Sequence, residues 1–122
     1  MSFAPAHLIR TCIWLLTGAA AIGTVMATLR FAKDRGAPVW MSKAHGVLTT
    51  SSLALLVYGC VAVGLPRMAV TATALLMLAA GGGFVMGQAW RWKGSSHIEI
   101  VLFGHLTVAA AGYFLLLAAS MG

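Results

Sequence analysis

The chain has 122 residues, of which 61% are hydrophobic, and it contains only eight Lys and Arg and two Asp and Glu residues. About a quarter of the residues in a soluble domain are charged, so this composition excludes a soluble globular protein and indicates an integral membrane protein. The formal net charge of +6 comes from basic residues between or near the ends of the apolar stretches, and it does not indicate nucleic-acid binding.

Four apolar stretches are predicted to be transmembrane helices, because each reaches the roughly 20 residues that a helix needs to cross the hydrocarbon core. Pro38 is expected in the first turn of the second helix, and Ser96 with Glu99 is expected to form a capping box at the start of the fourth. The predicted fold is an all-α integral membrane four-helix bundle, a single transmembrane domain over residues 1–122. In chain order, the stretches are Leu8 to Leu29, Pro38 to Leu65, Met68 to Ala89 and Ile98 to Met121.

The basic residues predict the orientation of the bundle. Six of the eight lie in or beside the first and third loops, and only Arg10 and Arg67 lie on the other side. By the positive-inside rule, the first and third loops face the cytoplasm. We therefore predict a multi-pass protein of a bacterial inner membrane with both termini in the periplasm. The six basic residues are Arg30, Lys33, Arg35, Lys43, Arg91 and Lys93.

The sequence repeats itself at an offset of 60 residues without a gap. The matches include rare residue types, and they span a loop, which favours a tandem duplication over chance. Repeat 1 covers about residues 8–62 and repeat 2 about residues 68–122, each a helical hairpin. Two hairpins that insert the same way are expected to be related by a pseudo-twofold axis along the membrane normal. The matched rare residues are Met26 with Met86, Lys33 with Lys93 and His45 with His105.

Small residues at a spacing of four occur in both odd-numbered helices, as Ala19 with Gly23 and as Ala79 with Gly83. Such faces allow helices to approach closely in lipid, so we predict that they mediate helix packing. The chain has two cysteines, Cys12 and Cys60, near the predicted outer ends of their helices. Buried free thiols are favoured there over a disulfide on the outer side of the membrane.

His45 and His105 are the candidate functional residues. They lie about seven and nine residues inside the second and fourth helices, which places both roughly 10–13 Å from the predicted cytoplasmic ends. Ionisable side chains at such a depth are rare and usually functional. Two opposed imidazoles in an apolar cleft suit one b-type haem, whose iron takes two axial nitrogen ligands. A zinc or copper site, a proton relay and plain interhelical packing are the alternatives.

The residues around each histidine extend this hypothesis to a haem pocket. Thr49 and Ser52 follow His45 by one and two turns, and Ala109 and Gly112 follow His105 in the same way. Their small side chains are expected to leave space for a porphyrin face.

Other side chains are candidates for contacts with the same cofactor. Lys33 and Lys93 are candidate partners for the haem propionates, with the positive-inside rule as the simpler explanation of their charge. Met26 and Met86 are alternative axial or copper ligands, although methionine more often fills gaps in a core. His7 and His97 are not expected to ligate.

With one histidine in each even-numbered helix, the chain resembles the small membrane cytochrome b class, four-helix haem subunits that anchor or serve respiratory enzymes. The resemblance implies electron transfer between a membrane quinone and a redox partner. Di-haem members of the cytochrome b561 type use four histidines within the membrane. Only His45 and His105 are in place in this chain, which favours one haem near the cytoplasmic side.

The leading functional hypothesis is therefore a haem b-binding electron-transfer subunit in the lipid bilayer. It would pass electrons between a quinone or a partner subunit and a redox enzyme, without being a catalytic enzyme itself. One alternative is a small four-helix transporter or channel. Its first helix would normally carry a glutamate, whereas the only acids of this chain are Asp34 and Glu99. Another alternative is a structural accessory subunit whose histidines only pack.

Overall fold

The structure, a computed structural model, describes residues 5–33, 36–89 and 97–122. These residues form four helices and no strand, which confirms the predicted all-α fold. Each helix is long and apolar enough to cross a membrane, as the four apolar stretches predicted. The helices are α1 (Pro5–Lys33), α2 (Val39–Tyr58), α3 (Arg67–Ala89) and α4 (His97–Met121).

The ends of α2 differ in detail from the prediction. Pro38 is the residue before the helix, in an extended conformation, and its carbonyl oxygen accepts a 3.0 Å hydrogen bond from the backbone N–H of Met41. At its other end α2 continues as a π-helical turn, Gly59–Val63. The chain then turns at Gly64, whose φ of 82° favours glycine. The capping box predicted at Ser96 involves a residue outside the described part of the chain.

The chain divides into two compact units, residues 1–63 and residues 64–122. The first contains α1 packed on α2, and the second contains α3 packed on α4. The boundary falls in the connection predicted between the two repeats. Each unit is therefore a helical hairpin, and the pseudo-twofold relation between the hairpins stays a prediction.

The two hairpins bury residues at equivalent positions. In α1 and α2, the buried interface includes two leucines and smaller residues at helical spacing. In α3 and α4, the residues 60 positions later are buried in the same way. Small side chains allow each pair of helices to approach closely, which stabilises helix pairs in lipid. The buried residues are Cys12, Leu16, Ala19, Ser52 and Leu56 in the first hairpin, and Ala72, Leu76, Ala79, Gly112 and Leu116 in the second.

Large apolar side chains cover the outside of the helices. Trp14 is 77% exposed and Phe84 is 70% exposed, and Phe103 and Phe114 are also mostly exposed. Water-soluble monomers rarely expose so many large apolar side chains. These side chains are instead suited to contact lipid tails, which agrees with four membrane spans.

Candidate functional site

His45 is held against α1 by a hydrogen bond to the backbone. Its imidazole is half-buried, and its Nδ1 atom lies 2.8 Å from the carbonyl oxygen of Ala19. A carbonyl oxygen can only accept, so Nδ1 carries the hydrogen and donates it. In the neutral ring, Nε2 then holds the lone pair that binds metals.

His105 makes the same contact in the second hairpin. Its imidazole is also half-buried, and Nδ1 lies 2.6 Å from the carbonyl oxygen of Ala79. The acceptor precedes the histidine by 26 residues in both hairpins. The two histidines therefore have the same ring orientation relative to their own partner helix, and the same nitrogen donates.

Each imidazole also lies against a glycine one turn beyond the acceptor. A Cβ atom built on Gly23 would lie 3.0 Å from Cε1 of His45. A Cβ atom built on Gly83 would lie 3.1 Å from Cε1 of His105. Real Cβ contacts are almost never closer than the first of these distances. The glycines thus leave room in α1 and α3 for the two rings.

This arrangement fixes the chemistry that each histidine can supply. A hydrogen bond from the second ring nitrogen to a backbone carbonyl is the usual support of a metal-ligating histidine, because it sets the tautomer and the ring orientation. It also makes the ring a better electron donor at Nε2. His45 and His105 both have this support, and the sequence had not indicated it.

Two of the small residues that follow the histidines contact the other helix of their own hairpin. Ser52 is fully buried, and its Oγ donates a 3.3 Å hydrogen bond to the carbonyl oxygen of Cys12. A Cβ atom built on Gly112 would lie 2.8 Å from Cγ of Leu76. Both residues therefore face the other helix of their own hairpin. That contact accounts for their small size, and a contact of Ser52 or Gly112 with a cofactor stays a prediction.

Thr49 and Ala109 are both half-buried, one turn after the histidines. The Thr49 hydroxyl donates a 2.8 Å hydrogen bond to the carbonyl oxygen of His45 in its own helix. The hydroxyl is thus satisfied locally, and its methyl group remains for packing. A contact of Thr49 or Ala109 with a cofactor stays a prediction.

The candidates for propionate contacts lie partly outside the described residues. Lys33 is the last residue of α1, and its side chain is not described, while Lys93 lies in the undescribed segment before α4. Arg30 is half-buried, and its Nε atom is buried. It lies two turns beyond Gly23, on the same face of α1. Arg30 is therefore a described basic side chain on the face of α1 that carries Gly23, and it is a further candidate for a propionate contact.

The remaining candidates divide into half-buried and exposed residues. Met26 and Met86 are both half-buried, and His7 is exposed near the start of α1. His97 is the first residue of α4, and its side chain is not described. Both cysteines are free, as predicted, although Cys60 is only half-buried.

Four residues that contact the imidazoles were not predicted to do so. Two alanines accept hydrogen bonds from the rings, and the rings lie against two glycines. Their spacing was recognised, and it was assigned to helix packing alone. The sequence did contain a signal for these contacts, because the alanines and glycines match across the repeat at the same 60-residue offset as the two histidines. They are Ala19, Gly23, Ala79 and Gly83.

Among the described residues, no three or more His, Cys, Asp and Glu side chains are grouped so that they could hold a metal ion. A bis-histidine haem takes only two protein ligands, so this finding does not bear on it. No protein family, curated protein or solved structure matches the chain. Function is therefore inferred from the two histidine sites.

Proposed function

We propose that this chain is a haem b-binding electron-transfer subunit of a membrane, with His45 and His105 as the axial ligands of one haem. The observation that supports the proposal is the repeated hydrogen bond from Nδ1 of each histidine to a carbonyl of its partner helix. In each hairpin this hydrogen bond leaves Nε2 as the ring nitrogen with the lone pair. Two such equivalent nitrogens suit a cofactor that needs two equivalent ligands.

Residues around the two histidines would orient the ligand rings and exclude water from the site. The carbonyl oxygens of Ala19 and Ala79 hold the ligand rings in one tautomer, and Gly23 and Gly83 allow the rings to lie close to the helices. When bound, haem iron supplies a one-electron couple, whose potential depends on the axial ligands and on the polarity of the surroundings. The apolar helix faces would keep water away and so influence that potential.

The proposal includes a topology and partners. Both hairpins would insert in the same direction into a bacterial inner membrane, related by a pseudo-twofold axis, with both termini in the periplasm. A membrane quinone or a partner subunit would exchange electrons with the haem. The chain would itself catalyse no reaction, and a redox enzyme bound to it would do so.

A structural role is the second candidate, because the same hydrogen bonds also support it. Polar side chains that bond across helices stabilise membrane bundles by about 0.6 kcal/mol on average. His45 and His105 would then only connect the two helices of each hairpin. The chain would be an accessory subunit, with no cofactor.

The visible spectrum of the purified full-length protein distinguishes these functions. We expect the split reduced-state band of low-spin haem, and we expect it to disappear in His45→Gln and in His105→Gln. Glutamine can still donate a hydrogen bond to the carbonyl of the partner helix, but it does not ligate haem iron in the same way. The variants should therefore fold, and circular dichroism in detergent would verify their helix content.

His7→Gln is the matched control, because His7 is exposed and is not an expected ligand. Its spectrum should equal that of the unaltered protein. A colourless protein with intact helices, obtained from cells supplied with haem, would end the cytochrome proposal. It would leave the structural role and the transporter alternative, which a transport assay in vesicles separates.

A further inference from the structure

The contacts between α1 and α2 follow an antiparallel register along the first hairpin. Leu48 lies against Gly18, where an added Cβ would be 3.4 Å from the leucine Cδ1 atom. Nearer the start of α2, His45 lies against Gly23, which is nearer the end of α1. A step toward the start of α2 therefore corresponds to a step toward the end of α1.

The next step of this register brings a methionine of each helix to the His45 site. Met41 precedes His45 by four residues and is only 7% exposed, so it continues the buried face of α2. Met26 follows Gly23 by three residues on α1 and is half-buried. Residues three or four apart on a helix are neighbours, with Cβ atoms about 5–6 Å apart. The two methionines are therefore neighbours of the imidazole, one on each helix.

The second hairpin lacks one of these methionines. Met86 is the half-buried counterpart of Met26, but Val101 takes the place of Met41. His105 thus has one thioether neighbour where His45 has two. Because a valine fills this position in the second hairpin, packing alone does not require a methionine there. The difference supports a role of Met41 that is specific to the first hairpin.

The imidazole and the two thioethers together are a ligand set for a soft metal ion. Thioether sulfur favours Cu(I), and imidazole nitrogen also binds copper. The hydrogen bond from Nδ1 of His45 to the carbonyl oxygen of Ala19 leaves Nε2 as the ligating atom. All three ligands are neutral, and Arg30 lies one turn beyond Met26 on α1. A singly charged ion is favoured over a divalent one, because the desolvation cost and the repulsion by Arg30 both rise with the charge of the ion.

We propose that the first hairpin binds one Cu(I) ion through Nε2 of His45 and the sulfur atoms of Met26 and Met41. Nε2 can bind only one metal at a time, so haem and Cu(I) compete for His45. The proposal therefore concerns the chain without haem. It does not depend on whether His105 ligates haem iron.

Competition with a coloured Cu(I) chelator tests this site in the haem-free full-length protein. Bicinchoninate loses its purple colour when the protein takes Cu(I) from it, in detergent with ascorbate to keep the copper reduced. Thiols also bind Cu(I), so the background is Cys12→Ala with Cys60→Ser. Ala72 and Ser120 occupy the equivalent positions of the second hairpin. We expect one Cu(I) ion per chain.

Single variants in this background identify the ligands. Met26→Leu, Met41→Leu and His45→Gln should each weaken Cu(I) binding at least about tenfold, because even the loss of an outer-shell partner of a metal ligand costs about 10–100-fold. Leucine nearly conserves the volume of methionine, so the methionine variants should fold, and circular dichroism would verify this. Met86→Leu and His105→Gln are the matched controls in the second hairpin. They should bind Cu(I) as tightly as the background.

X-ray absorption at the copper edge gives a readout that a purely structural effect would not move. We expect two sulfur neighbours of copper, and one in Met41→Leu. No uptake of Cu(I), copper without sulfur neighbours, or equal losses in Met41→Leu and Met86→Leu would each overturn the proposal. Failure of the haem proposal is seen separately, because the haem spectrum is expected to depend on His105 as well as on His45.

Discussion

A Cβ atom built on Gly23 would lie 3.0 Å from Cε1 of His45, so the imidazole occupies the space that a larger residue at position 23 would need. The same relation holds between Gly83 and His105 at 3.1 Å. The glycines and the carbonyl acceptors together fix the position of each ring within its own hairpin. A metal ligand that is already oriented binds with less loss of conformational freedom.

Gly83→Ala should displace His105 and destabilise the second hairpin. Side chains added to a tightly packed contact typically cost about 1–3 kcal/mol, and the hydrogen bond to Ala79 would also be strained. The matched control is Gly81→Ala in the same helix, where an added Cβ meets nothing within 4 Å. Thermal unfolding in detergent, followed by circular dichroism, measures both. Equal melting temperatures would show that the imidazole can move aside without cost.

His105→Met should change the potential of a bound haem rather than remove the haem. Replacing one histidine ligand by a methionine thioether raises the reduction potential. Redox titration followed in the visible spectrum would measure the midpoint, with the unaltered protein as the reference. An unchanged midpoint in a variant that still binds haem would show that His105 is not an axial ligand.

Arg30→Gln should weaken haem binding through the propionates. A hydrogen bond to a charged group contributes about 1.5–3 kcal/mol, so binding should weaken by about one to two orders of magnitude. Titration of the haem-free protein with haem measures this. The control is haem dimethyl ester, whose propionates carry no charge. Arg30→Gln should leave its binding unchanged, and an equal loss with both haems would indicate a structural role of Arg30.

Gly112→Ala should destabilise its hairpin more than Ser52→Ala destabilises the other. The added Cβ at Gly112 would lie 2.8 Å from Cγ of Leu76 and 3.3 Å from the carbonyl oxygen of Ala72, so the backbones must separate. Ser52→Ala removes one interhelical hydrogen bond, which in membranes contributes about 0.6 kcal/mol on average. Unfolding of both variants in detergent tests the order, and the reverse order would contradict the packing described for Gly112.

The topology predicts the activity of enzyme fusions. Alkaline phosphatase fused after Gly122 should be active in a bacterial host, because the C-terminus is predicted to be periplasmic. The same enzyme fused after Gly87, near the end of α3, should be inactive because that end is predicted to be cytoplasmic. The opposite pattern of activities would reverse the orientation inferred from the basic residues.

The sequence alone predicted the spans, the two hairpins as units of the chain and the depth of the histidines. Apolar length determines whether a helix can cross a bilayer, and a rise of about 1.5 Å per residue converts position into depth. His45 and His105 are the seventh and ninth residues of α2 and α4 in the structure, as the sequence predicted. The cofactor and its two ligands remain predictions.

Only the tertiary structure decided which atoms each histidine contacts and which neighbours the small residues pack against. The sequence did not predict that Gly112 faces Leu76 and Ser52 faces Cys12 across their own hairpins, and the space for a porphyrin beside them stays a prediction. Gly23 was predicted to mediate helix packing, and in the structure it lies against the imidazole of His45. Helical periodicity shows which residues share a face, but a small residue fits a close helix, a ring or a cofactor equally well. The choice among them depends on how the second helix is positioned, which is a property of the packed hairpin.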